Sequence, residues 1–406
     1  VPISSGCTAT EAIRNTIDLA RRAEALGYRR YWLAEHHLNP GVAGSSPAVV
    51  AALLAGATSR IRLGSGAVQI GHRTPLSVVE EFGLLAAACP GRIDLGLGRS
   101  GGPPPGAAAN GAAAAPQLPV AAHPGSAPGV AAPGPAAPDG QPGIPRHGTA
   151  GAGGPASRPP ATRTPEGLLL PPPFSFARVL GSPRFAAQAE LLHQPGAAPP
   201  SYTQQVEDVL ALLAGRWRST QDVPVQAVPG EHADLEVWVL GSSAGESAEV
   251  AGARGLPFAA NYHVSPATVV EAVTAYRAAF RPVGRLARPY VLVSADAVVA
   301  ADDATARRLA TGYAPWVRSI RTASGAIPFP TPAEADDMAW TDEERELVAD
   351  RLDTQFVGSP ATVAGQLDVL QAATGADELL VTTITHDHAD RVRSYELLAR
   401  YWAGTR

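Results

Sequence analysis

Glu35-His36-His37 is the densest run of proton-transfer chemistry in this sequence. An imidazole exchanges its proton near neutral pH, so a histidine at the edge of a cleft suits general acid or base work. Neighbouring residues on a strand point to opposite faces. The pair therefore reads as one functional and one packing histidine, and as a poor chelate for a metal. Gly241-Ser242-Ser243-Ala244-Gly245 is the second candidate. It matches the Gly-X-Ser-X-Gly nucleophile elbow, with Ser243 as nucleophile and His386 or His388 downstream, but no oxyanion loop of the His-Gly-Gly-Gly type is visible. Anion binding is a simpler chemistry for the same turn. Amides and hydroxyls at a strand end that opens a helix face a phosphate. Ser242, Ser243 and Ser247 would then grip it, and Arg99, ending another strand, would add a planar cation. The plainest alternative has Ser243 only capping its helix.

Other signals exclude more than they offer. Gly96-Leu97-Gly98-Arg99-Ser100-Gly101 matches the dinucleotide fingerprint, yet prolines follow where a helix should open. His386-Asp387-His388 has no matched ligands elsewhere and reads as a solvated loop before a helix. Cys7 and Cys89 are the only cysteines, too few for a thiolate-rich zinc site, and no metal is expected. All 32 basic residues are arginine, which rules out a lysine Schiff base and a phosphate-loop lysine. A net charge of −5 argues against a nucleic-acid partner. No apolar run reaches the roughly 18 residues of a membrane span, and no leader pattern is present, so a cytoplasmic protein is expected.

The elements that must position these residues alternate between strand and helix. Thr8 and Glu11 form a capping box for a helix that Gly27 stops. Strands are predicted at Arg30–Glu35, Ile61–Ile70, Arg92–Gly98, Leu235–Gly241, Pro257–Asn261, Tyr290–Ala300 and Glu378–Ile384. Helices are predicted at Pro47–Ala57, Pro75–Ala88, Tyr202–Leu213, Ser243–Arg254, Pro266–Phe280, Asp303–Ser319 and His388–Trp402, with one more from the Ser359-Pro360 cap to Gly375. Val1 is not a translational start, so a preceding strand is expected to complete an eight-stranded (β/α)8 TIM barrel, a single domain over 1–406. Between 101 and 160, 45 of 60 residues are Gly, Ala or Pro, too little apolar bulk to repay ordering. Residues 101–163 are therefore read as a low-complexity insertion after the fourth strand.

With these residues in view, the sequence resembles the flavin-dependent luciferase-like monooxygenases. The likeness rests on four ordered blocks: Tyr31-Trp32-Leu33-Ala34-Glu35-His36-His37 behind Gly27-Tyr28, Thr58 to Ala67, Pro90 to Arg99, and Trp238 to Ser243. It covers roughly 5–100 and 200–400 and implies the same β/α barrel. It implies His36 as the catalytic imidazole beside the flavin ring, supported by His37. Glu35, Gly66, Ala67, Arg99, Gly241, Ser242, Ser243, Ser247 and Tyr262 are implied as cofactor neighbours, with Asn261 nearby and a non-prolyl cis peptide at Gly66-Ala67. The implied activity uses reduced FMN from a separate reductase. The flavin reacts with dioxygen at C4a, and the hydroperoxide passes one oxygen atom to an organic substrate. A homodimer through the early helices is implied as well. A deazaflavin-dependent oxidoreductase of the same fold is the close rival, a non-catalytic flavin binder a further one, and a Ser243 hydrolase the rival from another class. Two departures matter. His72-Arg73 stands where the family often has Asn-His, and Gly98 stands where luciferase has a reactive cysteine, against light emission.

Overall fold

The structure is a computed structural model describing residues 1–99, 160–193 and 200–405. Apart from 160–163, the low-complexity stretch lies outside the described residues. Chain order begins α1 (Ala9–Ala25), β1 (Arg30–Leu33), α2 (Pro47–Ala55), β2 (Arg62–Ser65), β3 (Val68–Gln69), α3 (Pro75–Ala88) and β4 (Ile93–Gly98). A hairpin of β5 (Thr162–Arg163) and β6 (Leu169–Leu170) precedes α4 (Ala177–Leu180), α5 (Pro183–Leu192) and α6 (Tyr202–Leu213). Then come β7 (Leu235–Gly241), α7 (Glu246–Ala253), β8 (Phe258–Asn261), α8 (Val269–Ala279) and β9 (Val291–Val299). The chain continues through α9 (Asp303–Leu309), α10 (Tyr313–Arg321), α11 (Pro332–Asp336), α12 (Asp342–Asp353), β10 (Phe356–Gly358), α13 (Pro360–Thr374), β11 (Glu378–Thr382) and α14 (His388–Thr405).

Local chemistry explains most boundaries. Thr8 and Glu11 cap each other's backbone at the start of α1, and Gly27 ends the turn behind it at a φ of +82°. Ser359 caps α13, whose end is Gly375 in the left-handed region at +60°. Two expected elements are broken. The Ile61–Ile70 strand divides at the cis Gly66–Ala67 peptide into β2 and β3, and a 3-10 turn takes Ile70–His72. The Asp303–Ser319 helix divides into α9 and α10 around Gly312, where an added Cβ would strike Pro330 and Phe329.

The architecture is α/β, with a parallel sheet in the order β1-β2-β4-β7-β8-β9. β11 pairs with the start of β9 and β10 with its end, while β3 flanks β4. β1 and β11 stand at opposite ends of this ladder, yet Arg30 Nε meets Glu378 Oε1 at 2.7 Å. The sheet therefore curls round as a half-barrel. Period-two alternation sorts the side chains. Trp32, Trp238, Ala259, Leu292 and Leu380 share one face, while Leu33, Leu63, Val239, Phe258 and Val293 pack on the other in the main core.

A charged layer fills the inner face where the strands begin. Arg30 pairs with Asp94 at 2.7 Å and lies over the Trp32 and Trp238 rings, 5.7 and 4.7 Å from their centroids. Arg62 Nη2 reaches the other Asp94 oxygen at 2.6 Å, and Trp32 Nε1 donates to Asp94 at 2.9 Å. Buried ions persist only when paired and hydrogen-bonded in this way. Among the described residues no helix is long and apolar enough to cross a membrane.

Candidate functional site

Every main ladder is parallel, so the residues that follow β1, β2, β4, β7 and β8 emerge at one edge of the sheet. That common edge brings the imidazole pair and the glycine-serine turn to the same side of the molecule.

His36 continues the inner face of Arg30 and Trp32. Its ring opens onto a cavity of about 550 Å³ bordered by Leu38, Pro40, Val42, Ala43 and, from α5, Leu191 and Leu192. It is exposed to solvent there. Desolvation by the surrounding chain, the largest cause, lowers its pKa from the ordinary imidazole value. The shift favours the neutral imidazole, the form that can accept a proton.

Glu35 faces the other way, and His37, which also borders the cavity, turns its Nε2 back to it. Glu35 is buried, and its Oε1 accepts from His37 Nε2 at 2.8 Å, His72 Nε2 at 2.9 Å and Arg73 Nε at 3.3 Å. Its Oε2 takes the Gln69 amide at 3.1 Å. Burial alone would raise its pKa, but the hydrogen bonds from His72, His37 and Gln69 and the Arg73 charge bring it to about 2. Glu35 thus anchors the chain just beyond Gly66-Ala67 from behind the sheet rather than facing the cavity.

Gly66–Ala67 is a cis peptide, as expected. Gly96 and Gly98, which mimic a dinucleotide fingerprint, serve packing here. A Cβ on Gly96 would lie 2.1 Å from Ser65 O, and one on Gly98 would lie 2.9 Å from the Ala67 methyl.

Arg99 follows β4 and Gly241 ends the neighbouring β7, so the cation and the turn sit side by side. Arg99 Nη1 is 3.9 Å from the Glu246 carboxylate, which accepts from Thr203 N and Oγ1 at 3.1 and 2.8 Å. Tyr202 donates to Leu97 O at 3.1 Å, tying α6 to this corner. No side chain fits at Gly241, where a Cβ would lie 2.9 Å from the Phe258 ring. Ser242 and Ser243 occupy the turn into α7, and Ser247 is buried in its first turn. Among the described residues no imidazole or carboxylate hydrogen-bonds Ser243, so the elbow reading lacks its base.

Tyr262 sits on the outer face, fully buried, with its hydroxyl on Leu169 O at 2.8 Å. Asn261 on the inner face carries a buried Oδ1 with no hydrogen-bond partner. The neighbour missed from sequence is His263. Its Nδ1 lies 2.7 Å from Ser294 Oγ, and burial lowers its pKa. Beyond it, Asp296 accepts from Tyr313, from Arg351 at 3.1 Å and from Thr382 at 3.1 Å. No local motif could announce that group, because β9, α10, α12 and β11 each contribute one member. His386 and His388 lie elsewhere, against Ser5 O at 3.0 Å and Asp18 at 2.8 Å, where they tie the end of the chain to its start.

This fold and edge define a class, and comparison with known proteins names it. The family of luciferase-like monooxygenases matches residues 2–120 and 201–378, and the chain belongs to that family. It is 33% identical to the uncharacterised protein YvbT of Bacillus subtilis (strain 168) over 99% of this chain and 94% of that one. It is 30% identical to a luciferase-like monooxygenase of Escherichia coli (strain K12) over 98% and 93%. The solved structure of apo-MsnO8 superposes with a TM-score of 0.69 at 28% identity, covering 99% of this chain and 96% of that one. Two more distant structures share the fold alone. The FMN complex of the oxygenating constituent of 3,6-diketocamphane monooxygenase from Pseudomonas putida has a TM-score of 0.58 at 18% identity, covering 98% and 95%. An F420-dependent secondary alcohol dehydrogenase has 0.56 at 11%, covering 96% and 94%.

Proposed function

We propose that this chain is an FMN-dependent monooxygenase that transfers one oxygen atom from dioxygen to an organic substrate. The observation that carries the reading is the shared edge of the sheet. A glycine-serine turn with an arginine beside it, the Gly66–Ala67 peptide and the imidazole pair all follow strands that end at that edge. The residues fit a phosphorylated flavin. Ser242, Ser243 and Ser247 supply hydroxyls, and Arg99 supplies charge. Reduced flavin, when bound, would supply the activation of dioxygen. The chain's own work is binding, orientation and proton handling. Arg99 would turn from Glu246 to the phosphate, Glu35 holds the Gly66–Gln69 stretch from behind, and neutral His36 accepts a proton at the cavity wall.

This reading takes residues on both sides of the undescribed stretch as one eight-stranded barrel. It includes a separate reductase as flavin donor, a cytoplasmic location, and a homodimer through α2 and α3. Val49, Leu53 and Leu84 leave those helices exposed at 61%, 47% and 63%, an apolar face suited to a second copy. Deazaflavin is the second reading, favoured by the likeness to the F420-dependent dehydrogenase. Oxygen uptake separates the two: the purified chain with reduced FMN and a panel of organic substrates should consume dioxygen in proportion to oxygenated product. Hydride transfer to or from F420 under anaerobic conditions, without oxygen uptake, would favour the second.

A further inference from the structure

The alternation that parts His36 from His37 also puts Glu35 and His37 on one side of the chain, and His72 joins them from the turn after β3. We propose that Glu35, His37 and His72 form a binding site for a divalent first-row cation of the zinc type, at the edge of the cavity that His36 lines. Both imidazole Nε2 atoms point at one carboxylate oxygen, at 2.8 and 2.9 Å, and all three donor atoms lie within 4.8 Å of one another. Such a cation sits about 2.0–2.2 Å from nitrogen and carboxylate oxygen, so each nitrogen need move from that oxygen by only a few tenths of an ångström. Two imidazoles with one carboxylate suit zinc, cobalt or nickel better than calcium or magnesium. The carboxylate is sequestered from water, and His37 borders the cavity, which gives the ion a way in. Each imidazole would bind through a deprotonated Nε2, its proton moving to Nδ1 or to solvent.

Arg73 opposes the ion, since its Nε touches the same Glu35 oxygen at 3.3 Å. Its Nη1 is held by both Glu81 oxygens at 3.1 and 3.2 Å, so the guanidinium has a carboxylate to stay with when the Glu35 contact is given up. That opposition gives the proposal a sign as well as a size. The position of His72 also makes the site a feature of this chain, because the residue type there is the departure noted in the sequence.

The test uses the full chain, freed of metal by chelator and without flavin, titrated with Zn2+ by calorimetry and with Co2+ by visible absorption. The proposal expects one saturable ion per chain and a cobalt spectrum of imidazole-carboxylate ligation. His72→Asn should weaken binding at least about 100-fold, beyond the loss typical of an outer-sphere partner. Arg73→Gln should tighten it about tenfold by removing a like charge. Should His72→Asn fail to fold, the Arg73→Gln shift and the cobalt spectrum still decide. Absence of saturable binding below millimolar zinc, or unchanged affinity in a folded His72→Asn variant, overturns the site. Neither result depends on whether flavin binds.

Discussion

The two ends of one sheet are built on opposite terms. Where the strands begin, Arg30, Arg62, Asp94, Glu236 and Glu378 meet opposite charges, and the aromatic rings of Trp32 and Trp238 cover them. Where the strands end, Asn261 Oδ1 and Arg351 Nε are buried without partners among the described residues, and His36 and His263 are pushed away from their charged forms. A satisfied layer contributes to folding. A layer with unmet polar atoms costs stability and is arranged for a ligand to complete. The difference supports the proposed function, in which the first end holds the half-barrel shut and the second binds the cofactor.

Exchanging the two ends by mutation breaks the comparison if it is wrong. The largest effect belongs to His36→Ala at the mouth. Turnover should fall by about 10²–10⁴-fold, the usual contribution of a general acid or base, with the melting temperature and FMN affinity little changed. A variant that turns over normally would place the chemistry elsewhere. Asp94→Ala at the floor should do the reverse. It leaves Arg30 and Arg62 buried without their central partner and should cost about 3–5 kcal/mol in urea unfolding. FMN affinity of the protein that remains folded should hold, and loss of affinity without loss of stability would contradict the division.

Smaller changes sharpen it. Asn261→Leu removes a buried oxygen that bonds nothing, so the flavin-free chain should be unchanged or up to about 1 kcal/mol more stable while flavin affinity drops. A stability loss above that would mean the oxygen is satisfied after all. The smallest effect lies outside both ends. Glu24 accepts the amides of Ser59, Arg60 and Ile61 at 2.9, 2.6 and 2.9 Å, and these bonds overcome burial to bring its pKa from 4.5 to about 2. A depressed carboxyl stabilises above its ordinary value and loses that contribution as pH falls from about 4.5 towards 2. Glu24→Gln should flatten the acid limb of a stability profile over that window. Parallel profiles for the two proteins would show the cap to be idle.

What the sequence made legible follows from how local each signal is. Caps such as Thr8 with Glu11 and Ser359 with Pro360, and strand periodicity, are written within a few residues, so the strand–helix order could be read directly. Glu35-His36-His37 and Gly241-Ser242-Ser243 are contiguous and end strands, which made them visible as well. The floor was not, because Arg30 meets Glu378 across 348 residues and no local pattern encodes that meeting. His263 was overlooked in favour of Tyr262 because a single step along a strand exchanges its faces. The break in Ile61–Ile70 was not read from the pattern, since the apolar run continues through the cis peptide, which only the family resemblance implied.

The most direct measurement compares equilibrium binding of FMN and riboflavin, which differ only by the phosphate, to the wild-type chain and to Arg99→Ala. The account predicts that FMN binds the wild type about 10–100-fold more tightly, as charged hydrogen bonds of a phosphate cradle require, and that Arg99→Ala removes most of that advantage. Equal affinities for the two flavins in the wild type would contradict it.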